Sequence, residues 1–169
     1  MPRLTFVIGG AASGKSAHAE ALARATGLPR IYVATAQAFD EEMAAKIAAH
    51  RAARGPDWET VEAPLDLPQA LGRIPAGRVV LVDCLTLWLS NLVLADADTD
   101  AAGAELLSAL GACASDCIVV SNEVGQGIVP DHPLGRRFRG AQGRLNQAVA
   151  AAADRVETVI AGLPLVLKG

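Results

Sequence analysis

The chain has 169 residues, which is enough for one domain, 1–169, with a single core. Hydrophobic residues make up 51% and charged residues 20%, a composition too apolar for an intrinsically disordered protein. The net charge of −3 excludes a general attraction to nucleic acid or to an anionic membrane surface, so any anion-binding site must be local. No apolar run reaches the roughly 18 residues of a membrane span, and three cysteines without a secretory leader predict reduced thiols in a cytoplasmic protein.

Four short, β-branched apolar runs predict buried strands of a mostly parallel sheet. They are residues 4–8, 31–34, 79–82 and 118–120, and each ends in small or polar residues. Alanine-rich stretches at 16–25, 40–54 and 101–110 predict helices between them. This alternation indicates a three-layer α/β domain with functional loops at the C-terminal ends of its strands.

The C-terminal third is predicted to begin with a helix at Pro133, a residue favoured in a first helical turn. Its apolar face contains Leu134, Phe138, Leu145 and Val149, while Arg136, Arg137, Arg139 and Arg144 lie mostly off that face. Residues 156–167 predict two strands around Gly162-Leu163-Pro164, forming an antiparallel hairpin at the sheet edge. The acidic stretch 96–100 predicts an exposed loop.

The strongest functional signal is the segment Gly9-Gly10-Ala11-Ala12-Ser13-Gly14-Lys15-Ser16, which satisfies G-x-x-x-x-G-K-[ST] between the first strand and a helix. The glycines let successive N–H groups point inward, forming a nest for phosphate oxygens at the positive end of the helix. We expect Lys15 to reach the β- and γ-phosphates of a purine nucleoside triphosphate and Ser16 to ligate Mg²⁺. The glycines do not follow G-x-G-x-x-G, which excludes a dinucleotide fingerprint.

An acidic residue should complete this site at the end of a neighbouring buried strand. Asp83 follows the run 79–82 in the position of a Walker B carboxylate, where it could hold Mg²⁺ directly or through water. The alternative is that Asp83 caps the helix that follows.

The three histidines differ in context. His18 follows the phosphate loop on its helix, where a surface position is expected, and His132 precedes a proline, as a cap or loop residue. Spacing by four residues stacks His50 with Glu42, Lys46 and Arg54 along one helix face. The basic groups at positions 46, 50 and 54 repel one another unless an anion such as a triphosphate lies among them. The imidazole of His50, when neutral, can act as a nucleophile on phosphorus. The alternative is a solvated basic helix face.

Several separated segments resemble one known family, the bifunctional adenosylcobinamide kinase/adenosylcobinamide-phosphate guanylyltransferases of cobalamin biosynthesis. Besides the phosphate loop, the matching segments are residues 32–36, 47–51 with Trp58 and Glu62, 83–92, Asn122-Glu123-Val124-Gly125, 127–130, 137–139, 143–147, and 161–164 with 167–169. The phosphate loop is generic, but Asn122-Glu123-Val124-Gly125 together with the Trp88 segment is not. Many members have arginine where this chain has Ala12. Because backbone amides form most of the cradle, phosphate binding should survive this difference.

The resemblance implies a RecA-like P-loop fold and a two-step transferase, commonly a trimer with sites near subunit boundaries. ATP or GTP would phosphorylate the aminopropanol hydroxyl of adenosylcobinamide, and GMP from GTP would then pass to that phosphate with release of pyrophosphate. A histidine carries the guanylate in the family, and His50 occupies its place. The implied guanine-nucleotide contacts are Gly9 to Ser16, Ala34, Thr35, Ala36, Arg51, Ala52, Ala53, Arg54, Glu62 and Asp83.

Two other functions stay open at this point. One is a plain small-molecule P-loop kinase in which His50 only contacts phosphate, and the other is a non-enzymatic GTP-binding regulator. The arginines between Arg136 and Arg144 form a solvated face, a subunit contact or part of the corrinoid site. Asn122, Glu123 and the loop 125–130 follow a strand end, which places them near that site.

Overall fold

In the computed structural model, which describes residues 1–169, strands and helices alternate along most of the chain. The elements are β1 Leu4–Gly9, α1 Lys15–Ala25, β2 Arg30–Ala34, α2 Glu41–Arg54, β3 Trp58–Glu62, α3 Leu67–Gly72, β4 Val79–Asp83, α4 Leu85–Leu94, α5 Thr99–Ala112, β5 Asp116–Asn122, α6 Pro133–Ala152, β6 Arg155–Ile160 and β7 Leu163–Lys168. The four strands and four helices predicted from sequence are all present, with small differences at their ends.

The seven strands form one sheet in the order β3-β2-β4-β5-β1-β6-β7. Every neighbouring pair is parallel except β6 and β7. Strand β5 therefore lies between β1, which leads into the phosphate loop, and β4, which ends at Asp83. Because parallel strands end at the same edge of a sheet, the loops that follow β1, β4 and β5 meet there.

Both faces of the sheet are covered, as the continuous apolar strands predict. Val80 and Val82 of β4 pack into the larger core, which also contains Trp88. The alternate residues Val79 and Leu81 pack into a smaller core with Ala19 and other residues of α1. These four residues of β4 are completely buried, and only Asp83 at its end is partly exposed. The three-layer α/β arrangement is confirmed.

Strand β3 is not predicted by its sequence pattern. It pairs only with β2, and of its residues only Trp58 is buried. Half of a sheet-edge strand faces solvent, so its sequence Trp-Glu-Thr-Val-Glu lacks the continuous apolar run of a central strand. The predicted acidic loop at 96–100 is also only partly correct. Asp98 caps α5 by accepting hydrogen bonds from the backbone N–H groups of Asp100 and Ala101, and the helix begins at Thr99.

The C-terminal hairpin is confirmed. Strands β6 and β7 are antiparallel, and the turn between them consists of Ala161 and Gly162 with φ of 52° and 78°. Positive φ at both positions is typical of a type I′ turn, which matches the twist of the paired strands. Strand β7 is exposed along its whole length, including Leu163, Leu165 and Leu167. None of the helices has both the length and the apolar character needed to span a membrane.

Candidate active site

The phosphate loop has a defined backbone shape that the C-terminal hairpin supports. Ala12 and Gly14 adopt left-handed conformations, with φ of 54° and 91°. A Cβ atom at Gly14 would lie only 3.2 Å from Gly162 Cα, so both the backbone angle and the close packing require glycine. The N–H of Gly162 donates to the carbonyl of Ser13 at 2.8 Å. The hairpin therefore holds the loop from outside the nest.

Lys15 is buried at this loop and forms no direct ion pair. It is only 8% exposed, its Nζ donates to the carbonyl of Gly10 at 3.0 Å, and no carboxylate forms an ion pair with it. A buried ammonium with one neutral partner favours binding of an anion. The Ser13 hydroxyl oxygen is also buried with no hydrogen-bond partner. Both groups are ones that a phosphate oxygen would satisfy.

Asp83 lies at the C-terminal end of β4, beside the start of α1. Burial raises the pKa of its carboxyl, and four groups oppose that shift: the Ser16 hydroxyl, the Lys15 ammonium, the Tyr32 hydroxyl and the His50 imidazole. The peptide bond from Asp83 to Cys84 is cis. Helix α4 has Cys84, not Asp83, at its N-cap. The capping alternative is therefore wrong, and the carboxylate is available to the site.

The oxygen atoms of Ser16 and Asp83 fit a magnesium ion. A hydroxyl and a carboxylate are hard oxygen ligands, which Mg²⁺ prefers. No three His, Cys, Asp or Glu side chains come together as metal ligands anywhere in the chain. A magnesium ion here would therefore take most of its ligands from phosphate and water, as is usual for this ion. It would also compensate the charge of the half-buried Asp83.

Other predicted contacts follow the same edge of the sheet. Glu62 at the end of β3 aligns with Ala34 of β2, which in turn aligns with Asp83 of β4. Glu62 is exposed, and Ala34 and Ala36 are half-buried. Thr35 is fully buried. Its hydroxyl is paired there, since it donates to the Cys84 carbonyl at 2.7 Å and accepts from the Cys84 N–H at 2.9 Å. The Thr35 side chain is therefore structural and fixes the loop after β2.

Helix α2 presents His50 to solvent near this edge. Arg51, Ala52, Ala53 and His50 are all exposed, and the imidazole is close enough to Asp83 to act on the pKa of its carboxyl. Arg54 is buried, with its guanidinium carbon 3.4 Å from the centroid of the Tyr32 ring. Lys46 forms an ion pair with Glu42 at 2.6 Å. The expected repulsion among the basic side chains of this face is therefore relieved by Glu42. This face does not by itself indicate a bound anion.

His18 is not the surface residue that its position suggests. Its Nε2 lies 2.5 Å from Oε2 of Glu157 on β6, whose side chain is only 2% exposed. Arg155 binds the other oxygen of the same carboxylate through its Nε. Since His18 lies one helical turn after Lys15, this cluster attaches the start of α1 to the sheet. His132, in contrast, caps α6 through Nδ1, as one of its two predicted roles requires.

Replacing Glu157 by glutamine should lower the free energy of unfolding by about 1–3 kcal/mol at pH 7, because a buried carboxylate loses charge-assisted hydrogen bonds. Burial raises the pKa of Glu157, but hydrogen bonds from Arg155 and His18 outweigh burial and hold it below its ordinary 4.5. The carboxylate therefore contributes stability above the unfolded-state pKa, and this stability is lost as the pH falls through the lower folded-state pKa. Urea denaturation across the acidic range measures both effects, with Glu105→Gln on exposed α5 as control. An unchanged acid dependence in the Glu157→Gln variant would contradict this role.

Tyr32 is a site residue that the sequence pattern does not reveal. Burial and the Asp83 carboxylate raise the pKa of Tyr32, so its hydroxyl stays protonated and can donate to Asp83. Its ring also supports Arg54 and meets the Trp58 ring edge-on at a centroid distance of 6.2 Å. In the sequence Tyr32 is one apolar residue within a buried strand, which gives no sign of a polar contact.

Sequence comparison shows which known proteins the chain is similar to. A sequence profile of the cobinamide kinase/cobinamide phosphate guanyltransferase family matches residues 5–167. The bifunctional adenosylcobalamin biosynthesis protein CobP of Pseudomonas aeruginosa is 49% identical over 167 residues, which cover 97% of this chain and 96% of the relative. The bifunctional adenosylcobalamin biosynthesis protein CobU of Escherichia coli is 40% identical over 181 residues, which cover 98% of this chain and 99% of the relative.

Solved structures with little sequence similarity share the fold. The flagellar accessory protein FlaH from Methanocaldococcus jannaschii aligns with a TM-score of 0.54 at 13% identity, covering 98% of this chain and 78% of that one. The RadB recombinase aligns with a TM-score of 0.56 at 16% identity, covering 92% of this chain and 73% of the recombinase chain. These similarities confirm the predicted P-loop NTPase fold and carry no statement about substrate. The profile match and the near full-length relatives lead to one conclusion: the chain belongs to the cobinamide kinase/cobinamide phosphate guanyltransferase family, whose members are bifunctional transferases.

Proposed function

We propose that this chain phosphorylates adenosylcobinamide with ATP or GTP and then transfers GMP from GTP to the new phosphate, giving adenosylcobinamide-GDP in cobalamin biosynthesis. The observation that supports this most directly is the buried Lys15 ammonium, which forms no direct ion pair and lies at the opening of a preformed phosphate nest. It gives the family's nucleotide-dependent chemistry a physical site in this chain.

The kinase step requires positioning and charge stabilisation more than covalent chemistry. The amides of residues 9–16 bind the β- and γ-phosphates, and Lys15 exchanges the Gly10 carbonyl for phosphate oxygens. Ser16 and Asp83 would hold Mg²⁺. When bound, this ion neutralises charge on the phosphate oxygens. The hydroxyls of Ser16 and Tyr32, which oppose the raised pKa of the Asp83 carboxyl, are near enough to orient it.

The guanylyl step uses His50 as the nucleophile. The neutral imidazole attacks the α-phosphorus of GTP, so that an N–P bond forms and the bond to pyrophosphate breaks. A phosphate oxygen of the corrinoid then attacks the same phosphorus and displaces the imidazole. Two in-line displacements give overall retention of configuration at phosphorus. The cationic side chain of Arg51, next to His50, stabilises the negative charge on the departing pyrophosphate.

The two steps involve different phosphorus atoms, so His50 and the phosphate nest cannot serve both without a change in arrangement. Either α2 moves or the nucleotide binds in two ways. Helix α2 buries only Arg54, and this favours movement of the helix because little apolar area must be exposed. The stacking of Arg54 on Tyr32 then acts as the pivot of α2 beside the guanine nucleotide.

The remaining guanine-nucleotide contacts are proposed along the sheet edge. Glu62 and Ala34 align with Asp83, which supports a ligand lying across β3, β2 and β4. Thr35 would contribute only through its backbone, since its side chain is bonded to Cys84. We assign the half-buried Ala36 and the exposed Ala52 and Ala53 to the same ligand.

A two-label assay tests the proposed function. The protein is incubated with adenosylcobinamide, Mg²⁺, ATP labelled at the γ-phosphate and GTP labelled at the α-phosphate. We expect both labels in the corrinoid product, together with released pyrophosphate. Transfer of the γ-label alone would indicate a plain small-molecule kinase, and transfer of neither label would indicate a nucleotide-binding regulator. Either outcome contradicts the proposal.

We also propose that the chain acts as a trimer in the cytoplasm. The exposed leucines of β7 form an apolar sheet edge that self-association would cover, and the three cysteines are free and buried, which suits a reducing compartment. Sedimentation equilibrium should give three times the chain mass of 17.4 kDa. Replacing Leu165 by lysine should shift the equilibrium to smaller species, and a monomeric wild type would contradict the trimer.

A further inference from the structure

A cavity of about 400 Å³ opens beside the phosphate loop. Its walls come from the start of that loop, from the segment after β5 and from the end of β6. The lining residues include Gly9, Gly10, Glu123, Gln126, Gly127 and Thr158. Because Lys15 Nζ donates to the carbonyl of Gly10, which lines the cavity, a terminal phosphate bound by Lys15 would lie at the boundary of this cavity. The cavity is therefore placed to receive a group that reacts with the γ-phosphate.

The backbone at Glu123 is fixed to the phosphate loop. The N–H of Glu123 donates to the carbonyl of Gly9 at 3.0 Å, and Asn122 aligns with Gly9 in the sheet. The N–H of Asn122 donates to the Thr86 hydroxyl at 2.8 Å, and its carbonyl accepts from Asn146 Nδ2 at 3.1 Å. These bonds to β1, α4 and α6 fix the backbone of Glu123 relative to the loop.

A buried polar network lies behind this strand end. Ser121 Oγ donates to Asn146 Oδ1 at 2.7 Å, and Gln142 Nε2 lies 2.9 Å from both of those oxygens. All three side chains are buried. A polar network in a core costs free energy unless its members are paired, and when paired it specifies one geometry. Gln142 Oε1 is buried without a partner, but the other bonds of the network join the end of β5 to α6 and so hold the backbone that leads into Glu123.

The carboxylate of Glu123 has no cationic partner. Its Oε1 accepts from the N–H of Gly125 at 2.5 Å, and no lysine, arginine or histidine forms an ion pair with it. A carboxylate next to a triphosphate site weakens anion binding by charge repulsion. The repulsion is offset if a proton donor lies between the carboxylate and the phosphate. The hydroxyl of a phosphoryl acceptor is such a donor.

We propose that this cavity binds the hydroxyl-bearing arm of the acceptor and that Glu123 is the general base of the kinase step, an inference that rests on the proposed function. The acceptor oxygen forms a bond to the γ-phosphorus, the bond from that phosphorus to the β–γ bridging oxygen breaks, and the hydroxyl proton passes to the Glu123 carboxylate and then to water. A cavity of this volume accommodates an aminopropanol arm and excludes a corrin macrocycle. The macrocycle stays outside, near the exposed side chains of Ile128 and Val129.

Two substitutions of Glu123 separate a base from a structural support. Glutamine in place of Glu123 keeps an oxygen that can accept from the Gly125 N–H but cannot take a proton, whereas alanine removes both functions. We expect Glu123→Gln to lower kcat for transfer of the γ-phosphate from ATP to adenosylcobinamide about 10²–10⁴-fold. The acidic limb of the pH–rate profile should disappear with it. The exposed Glu105→Gln on α5 is the matched control and should behave as wild type.

Guanylylation of the protein by GTP in the absence of corrinoid gives an independent readout. It uses no acceptor hydroxyl, so the Glu123→Gln variant should incorporate guanylate like wild type. If Glu123→Gln transfers the γ-phosphate normally while Glu123→Ala is slow, the residue only supports the loop and the inference is wrong. If wild type itself transfers no γ-phosphate to the corrinoid, the proposed function fails, and the inference fails with it.

Discussion

Replacing Lys15 by methionine is expected to lower kcat for phosphoryl transfer about 10²–10³-fold, since one preorganised donor to the developing phosphate charge is lost. Affinity for a non-hydrolysable GTP analogue should fall as well, because a hydrogen bond to a charged group contributes about 1.5–3 kcal/mol. Methionine retains most of the apolar stem of this buried residue, so the fold should persist. Initial rates with γ-labelled ATP and titration calorimetry measure the two effects.

Lys168→Met provides the control for this substitution. Lys168 lies on β7, where its Nζ donates to the carbonyls of Ala150 and Ala151 at the end of α6, away from the phosphate loop. Its loss should reduce stability slightly and leave nucleotide affinity unchanged. Equal affinities for the analogue in wild type and Lys15→Met would mean that the nucleotide binds elsewhere.

Replacing His50 by asparagine should abolish covalent attachment of guanylate, because an amide cannot act as the nucleophile towards the α-phosphorus. The loss of a covalent nucleophile costs several orders of magnitude in rate, so we expect guanylyl transfer to fall about 10³-fold or more. Phosphorylation of adenosylcobinamide should continue, since it depends on the phosphate loop. Label from α-labelled GTP on the protein, and the ratio of phosphorylated to guanylylated corrinoid, report the two steps separately.

His132→Asn is the matched control for the loss of an imidazole. His132 caps α6, and asparagine is also a good N-cap, so the variant should fold and react like wild type. Undiminished labelling of the His50→Asn protein would show that another residue carries the guanylate. Loss of both reactions in this variant would instead indicate that α2 supports nucleotide binding as a whole.

Features of the fold and the site that depend on residues close together in the sequence could be predicted from it. The phosphate loop could be predicted because its glycines, Lys15 and Ser16 are contiguous and lie between a strand and a helix. Central strands such as β4 could be predicted because both of their faces are buried, which makes their sequences continuously apolar. The hairpin β6–β7 followed from its glycine turn.

Features that depend on distant pairing could not be predicted. The contact between His18 and Glu157 joins residues 139 positions apart, so a histidine expected on the surface is instead part of a partly buried cluster. Arg54 is spaced like a member of a basic helix face, but the fold places it against Tyr32. Thr35 matches the family pattern, and only the structure shows that its hydroxyl is bonded to Cys84.

The most direct test of the account is peptide mapping of the wild-type protein after incubation with GTP and Mg²⁺ without corrinoid. We predict a mass increase of one guanylate per chain, carried by the peptide that contains His50 through a linkage labile in acid and stable in base. The absence of any guanylate on the protein, or its attachment to a lysine such as Lys15, would contradict the account.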